Sequence, residues 1–527
     1  MRRSLSLVVA LTFAPFVVRA QDPPRTIPEQ SDHTKTSSPA DTAAFLAACR
    51  ALPHGDRLQI TVAGSSHLGR EQLLVHVRNP ATATAPRLRA LVIGDIHAGE
   101  VEGKEALQLL AREFAMGQHE ALLERCELWL LPIYNIDGDA DTGPTNRPGQ
   151  NGPDVVGVRH NAQQLDLNRD FVKADAPETR TLLQLFATID PHLFVDLHTT
   201  NGSYHGYHLT YSPSLSPNVD PGIAALTRTL LDAAQATMRS EHRFATFDYG
   251  NFETNDWDGG GAPASAKGVR GWWSYDHRAR YGVNYFGLRN RLAVLSEAYS
   301  YADFATRIAA TRAFVLSLLL HLTTRADEVL QVTTAADERL RRGEPSMFGF
   351  ATTFAPPESL PVLVGAVDEI AGSGERPLRR VRKGDGTAET MPVFRAFLAK
   401  QQRPLPHAFA IVAPTAEVLD RLRRHGIEFR TVAANETVQA QRFAVTKQRK
   451  PKRPYQGHQE LQLEGNWQPI AAVDLPAGAI VVPARQRLAR LAATLLLPES
   501  EDSLTTWNFF EAQTAEHHPV LLVAAPQ

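Results

Sequence analysis

Polar and apolar positions divide this chain into an N-terminal part with clear periods and a C-terminal part where they fade. Arg57 to Gly64 and Glu71 to Arg78 alternate polar with apolar residues, the period-two pattern of half-buried strands. Arg87 to Ile93, Glu127 to Ile133, Leu193 to Leu197 and Arg291 to Ser296 are denser apolar runs and read as buried strands. Between the strands the period lengthens to that of a helix. Thr42 to Leu52 puts Phe45, Leu46 and Cys49 on one side, and Gly103 to Met116 is amphipathic. Pro177 to Ile189, Ile223 to Met238 and Phe304 to Arg325 also read as helices. Strands alternating with helices predict an α/β fold, with a parallel or mixed central β-sheet flanked by helices.

After about Val332 the apolar runs shorten to Val362–Val367, His407–Val412 and Ala477–Val482, and turn residues become frequent. This predicts a smaller β-rich or mixed C-terminal domain over 329–527, behind a catalytic-sized α/β domain over 41–328. A chain of 527 residues is long enough for that division. Gln21 to Ala40 is rich in Pro, Ser and Thr and reads as a flexible leader.

Before it stands the pattern of an export signal: basic Arg2-Arg3, apolar Leu5 to Val18, then Val18-Arg19-Ala20 ahead of polar Gln21. Cleavage after Ala20 and a secreted or periplasmic location are expected, without stable membrane insertion. The later apolar stretch Phe314 to Leu322 is short for a span of about 20 residues. A formal net charge of −2 gives no electrostatic reason to expect a nucleic-acid partner. Oligomeric state is not legible. Cys49 and Cys126 leave two readings open, a single bridge or two small buried side chains.

Candidate chemistry lies in the loops that follow the strands. His97 and Glu100 occur in Gly94-Asp95-Ile96-His97-Ala98-Gly99-Glu100, just after a strand, and His198 ends a separate strand. Two imidazoles and a carboxylate form a known ligand set for catalytic Zn²⁺. Glu297 closes the last predicted strand, and Asp166-Leu167-Asn168-Arg169 offers an acid and an anion-binding pair. The carboxyl edge of an open sheet is where such groups converge.

With these motifs the chain resembles the zinc carboxypeptidase superfamily, which includes carboxypeptidases A and B and the cytosolic carboxypeptidases. The family's His-x-x-Glu and distant His match His97, Glu100 and His198, and its Asp-x-Asn-Arg matches Asp166, Asn168 and Arg169. Its Asn-Pro-Asp-Gly matches Asn135 to Gly138, with Ile136 where Pro is usual, and its late catalytic Glu matches Glu297. The likeness covers roughly residues 40 to 325. It implies one Zn²⁺ per chain on His97, Glu100 and His198, and Glu297 as the general base. It also implies Asn168 and Arg169 as the seat for the free C-terminal carboxylate of a peptide, and Asp166 as the acid that orients His97.

The resemblance places an Arg ten positions before the Arg of Asn-Arg, which is Arg159, as donor to the oxyanion; Arg147 competes for that role. Tyr275, Tyr281 and Tyr285 share the candidacy for a tyrosine over the substrate. Asp170 stands where many relatives carry Asn, an added negative charge near the anion seat. The expected activity is hydrolysis of C-terminal peptide bonds in peptides or cell-wall-derived peptides. Two alternatives stand beside it: a deacylase of N-acyl amino acids like aspartoacylase or succinylglutamate desuccinylase, and an inactive peptide- or glycan-binding protein.

Overall fold

The computed structural model describes residues 22–82, 87–200, 202–252, 269–373, 375–510 and 517–525. The expected export signal lies outside them, as does part of the loop between Phe247 and Asn290. The N-terminal part builds one eight-stranded mixed sheet. Its strands are β1 (Leu58–Ser65), β2 (Glu71–Val77), β3 (Leu88–Gly94), β4 (Cys126–Leu131), β5 (Leu193–Thr199), β6 (Leu209–Pro213), β7 (Thr246–Asp248) and β8 (Leu292–Ala298). In space they run β1-β2-β4-β3-β5-β8-β6-β7. β4, β3, β5 and β8 are mutually parallel, whereas β2 and β6 run antiparallel to the inner strands they join. β3, β5 and β8 are largely buried on both faces, so their sequences are apolar apart from Arg89 early in β3 and the polar residues in the carboxyl halves of β5 and β8.

Alternate residues of these strands enter different cores. Val92, Val195 and Val294 meet Leu107, Phe114, Leu230, Phe314 and Leu318 of the helices Glu102–Ala115, Pro221–Ser240 and Phe304–Thr324. Leu91, Phe194 and Leu295 point the other way and share a cluster with Phe186, Phe286, Leu422, Leu491 and Trp507. The first two of those partners lie on the helices Pro177–Ile189 and Gly282–Gly287, and the last three belong to the C-terminal part. The helices Pro177–Ile189 and Gly282–Gly287 cover the sheet's second face, and the C-terminal part extends the same apolar cluster beyond them.

That C-terminal part is β-rich. Met347–Phe354 pairs with Phe397–Pro404, and Glu358–Ser373 pairs with Arg376–Phe394 in a long hairpin. A six-stranded antiparallel sheet follows, built on Ala408–Ile411, Glu436–Arg449, Gln462–Leu475 and His517–Val523 among others. His425 ties this part to the first: its Nδ1 lies 2.7 Å from the Tyr285 hydroxyl and its Nε2 2.9 Å from the Val172 carbonyl. Burial pushes the imidazole down to about 3, so it stays neutral, donating from Nε2 and accepting at Nδ1.

Residues 22–40 differ from the flexible leader expected of their composition. Thr26 and Ser38 close capping boxes on the helices Ile27–Gln30 and Pro39–Cys49. Ser37 donates to buried Glu105 from its backbone at 2.7 Å and its hydroxyl at 2.9 Å, and Arg112 grips Glu29 at 2.7 Å. Ser and Thr serve here as caps and donors rather than as solvated spacers. Cys49 and Cys126 are buried free thiols. The helix Phe304–Thr324 is longer than its apolar centre suggested, and by length and composition it suffices to cross a membrane. Its position is that of a core helix, with Arg307 wholly buried and donating to the carbonyls of Asn151, Gly152 and Ala302.

Candidate active site

Strand ends set the geometry. After β3, Asp95 takes φ 62°, a left-handed conformation uncommon outside glycine, and the chain turns sharply. The Glu100 N–H donates to the His97 carbonyl at 2.8 Å, which brings both side chains to one side. Gly99 is needed within this turn, because a Cβ there would lie 2.5 Å from Cγ of Arg147. β5 delivers His198 and β8 delivers Glu297, and parallel pairing sets these two residues side by side.

His97 Nδ1 lies 3.0 Å from Glu100 Oε1, and His198 Nδ1 lies 2.9 Å from Glu100 Oε2. One ligand atom from each of the three residues falls within 4.8 Å of the others, and all three side chains are buried. Tetrahedral ligands about 2.0–2.1 Å from zinc stand about 3.3 Å apart, so this donor set fits the ion. Each imidazole is backed through its other nitrogen: His97 Nε2 by Asp166 Oδ1 at 3.1 Å, His198 Nε2 by Asp196 Oδ2 at 3.0 Å. Such carboxylates fix the tautomer that turns Nδ1 toward the ion.

The charges are strongly coupled. Burial works against the Glu100 carboxylate, yet Arg147, His97 and His198 hold its pKa well below the usual range. Burial likewise opposes a charged His198, but Asp196 and Glu100 lift its pKa well above the ordinary imidazole value. Glu297 is pushed up to about 8, first by burial and then by Glu100 and Asp196, against the pull of His198 and Arg147. A cation at the ligand set favours its ionised form.

The anion-binding pair sits on the short turn Leu167–Arg169, capped by Asp166. Asn168 Oδ1 accepts the Gly282 N–H at 2.9 Å, which ties this turn to the loop carrying Tyr281. The Arg169 guanidinium lies 4.1 Å from the centre of the Tyr281 ring and lines a cleft of about 900 Å³ with Arg147, Arg159 and Asp166. Arg159 clasps Asp166 Oδ2 through Nε at 3.1 Å and Nη2 at 2.9 Å, and its Nη1 stays 3.7 Å from Glu100. Arg147 is paired directly with the Glu100 carboxylate.

The three tyrosines separate clearly. Tyr281 faces the cleft, Tyr285 is buried against His425, and Tyr275 is nearly buried beside Asn284. Asp170 does not add charge to the anion seat. It is buried and neutralised by Lys173 at 2.6 Å and by the Ala176 N–H at 2.9 Å. In the Asn135–Gly138 element, Asn135 caps the helix Ile136–Ala140 and holds the Arg159 carbonyl at 3.1 Å. Asp137 binds Ser66, Leu68 and Arg70 of the β1–β2 turn. Asp196 gains a clear place beside His198, which strand alternation already put on the same face two residues away. Tyr455 and Gln456 also line the cleft, and sequence reasoning passed over both.

Buried paired imidazoles, a shared carboxylate and an acid at the next strand end define a metal-dependent hydrolase on an α/β sheet. Residues 45–289 match the zinc carboxypeptidase family. Carboxypeptidase 2 of Trichophyton equinum is 24% identical over 453 residues, covering 82% of this chain and 76% of its own length. Carboxypeptidase Z of Homo sapiens is 36% identical over 115 residues, covering 20% of this chain and 17% of that protein. A metallo-carboxypeptidase structure from Burkholderia cenocepacia aligns with a TM-score of 0.41 and 18% identity, over 55% of this chain and 70% of that one. Residues 45–289 thus form a zinc carboxypeptidase domain, and this match and the carboxypeptidase relatives support a metallocarboxypeptidase hydrolase; zinc and peptide substrates are what that family implies. The 453-residue likeness outruns the family segment and continues into the C-terminal part.

Proposed function

We propose that this enzyme removes the C-terminal residue from peptides, cell-wall-derived peptides included, with one zinc ion per chain held by His97, Glu100 and His198. The observation that carries this reading is the position of Arg169: its guanidinium opens into the same cleft as Asp166 and Arg159, which reach His97 and Glu100 of the ligand set. A zinc ion held there supplies Lewis-acid activation of a water and of a carbonyl oxygen. Glu297 accepts the proton of the attacking water and returns it to the departing amine. Asn168 and Arg169 hold the terminal carboxylate, the planar guanidinium suiting its two oxygens. Tyr281 covers that seat from its stack on Arg169.

Arg159 donates to the oxyanion. Its hold on Asp166 orients the fork while leaving Nη1 turned toward the ligand set, whereas Arg147 balances the charge of Glu100 itself. The basic, apolar and small-residue order of the first twenty residues supports export. The deciding experiment digests peptides with free and amidated C-termini, alongside N-acyl dipeptides and N-acyl amino acids. Hydrolysis confined to free-acid peptides and N-acyl dipeptides is expected. Turnover of N-acyl amino acids alone would make the protein a small-molecule deacylase.

A further inference from the structure

Tyr455 and Gln456 come from the C-terminal part, yet they stand in the wall of the catalytic cleft. The Tyr455 N–H donates to the His458 carbonyl at 2.8 Å, and the His458 N–H returns to Tyr455 at 3.0 Å. Between them Gln456 and Gly457 have φ of 50° and 81°. Two left-handed central residues make a tight hairpin turn, so the tip is short and stiff. At that tip Gln456 Oε1 accepts the backbone N–H of Asp166 at 2.8 Å, across a separation of 290 residues. Asp166 backs His97, grips Arg159 and begins the turn that bears Asn168 and Arg169.

The turn is braced from several sides. His458 Nε2 meets Asp175 at 2.7 Å, and Arg280 meets Glu460 at 2.8 Å and Asp502 at 3.0 Å. The Arg280 guanidinium also lies 4.4 Å from the Trp507 ring centre. Tyr455 itself remains 37% exposed, with its side chain on the cleft. Burial opposes the Arg169 charge, while Asp166, Tyr281 and a side-chain hydrogen bond with Tyr455 raise its pKa. A phenol next to a guanidinium can donate to the same anion the guanidinium binds.

We infer that the Tyr455–Gln456 turn is the far wall of the subsite for the substrate's terminal residue. Tyr455 is a substrate-binding residue that donates to the terminal carboxylate beside Arg169. Gln456 is a positioning residue that sets the anchor through Asp166. This rests on the exopeptidase reading above, and it makes the C-terminal part a component of the catalytic site.

The test uses full-length, zinc-loaded protein. Calorimetry on Glu297→Gln protein compares a tripeptide with a free C-terminus and its carboxamide, with and without Tyr455→Phe. Tyr455→Phe should weaken the acid about fivefold to tenfold and leave the amide unchanged. In protein with Glu297 intact, Gln456→Leu should raise KM about fivefold or more, a larger change than in kcat, as expected when binding is the main loss. Thermal denaturation checks that each variant is folded. If Tyr455→Phe keeps the full preference for the acid, the role of the turn is overturned while the exopeptidase reading stands. If Glu297→Gln protein with Tyr455 intact shows no such preference, the exopeptidase reading falls and the role of the turn falls with it.

Discussion

His97, Glu100, His198 and Glu297 stand at the ends of three neighbouring strands, whereas Asn168, Arg169 and Tyr281 stand on loops braced by the C-terminal part. In the first group sheet register sets His198 beside Glu297, and the tight turn after β3 sets His97 and Glu100. The second depends on side-chain bonds that cross between distant segments. The proposed metal ligands and base are thus fixed by backbone pairing and a backbone turn, and the proposed substrate anchor by side-chain contacts. Such a division lets specificity change without disturbing the hydrolytic chemistry.

Mutations can break this contrast at either end. Chelation, or His198→Ala, should reduce turnover to background, and zinc analysis should show the metal gone; restored activity on adding zinc to chelated protein completes the check. Glu297→Gln should lower kcat about 10²- to 10⁴-fold while zinc content stays at one per chain. Retained turnover would point to a different base.

Arg159→Gln should cost about 10²- to 10³-fold in kcat, the usual loss of an oxyanion donor. Arg147→Gln should instead alter zinc affinity more than kcat, and the reverse result would exchange their roles. Asp196→Asn should weaken zinc binding about 10- to 100-fold, read by competition with a chromogenic chelator.

The smallest effect concerns the brace beneath the anchor. Burial opposes a charged His458, but its bond to Asp175 raises the imidazole pKa above the ordinary value. The pair therefore stabilises the fold below the usual imidazole range, and that contribution fades as pH rises through the raised value. Its partner Asp175 is lowered, burial notwithstanding, by His458, Lys173 and Arg421, so the acid-side loss falls below the usual carboxylate range. His458→Ala should lower stability at mildly acidic pH by no more than about 1 kcal/mol. Urea melts at mildly acidic and alkaline pH would show the difference shrinking at the higher value.

Legibility followed the same contrast. β3, β5 and β8 are largely buried on both faces, so their apolar runs were visible, and the ligand motifs stood where those runs end. The hairpin Glu358–Ser373 with Arg376–Phe394 was seen only as Val362–Val367. Glu369 and Lys383 on its far half are exposed and Arg380 is half-buried, so no continuous apolar face marks the strands. Residues 22–40 read as solvated spacer because Ser and Thr suit both caps and disorder. Gln456 left one faint mark, the Pro454-Tyr455-Gln456-Gly457 turn pattern, but nothing local tells which distant loop a turn will touch.

Sharing one apolar cluster between the sheet and the C-terminal helices has a consequence for how the protein can be divided. A chain ended after Arg341 would strip Leu422, Leu491 and Trp507 from the apolar cluster they share with Leu91, Phe194 and Leu295. So large an uncovered greasy surface invites self-association. A product shortened to the family segment is therefore expected to aggregate where the full chain does not, which light scattering of the two would check.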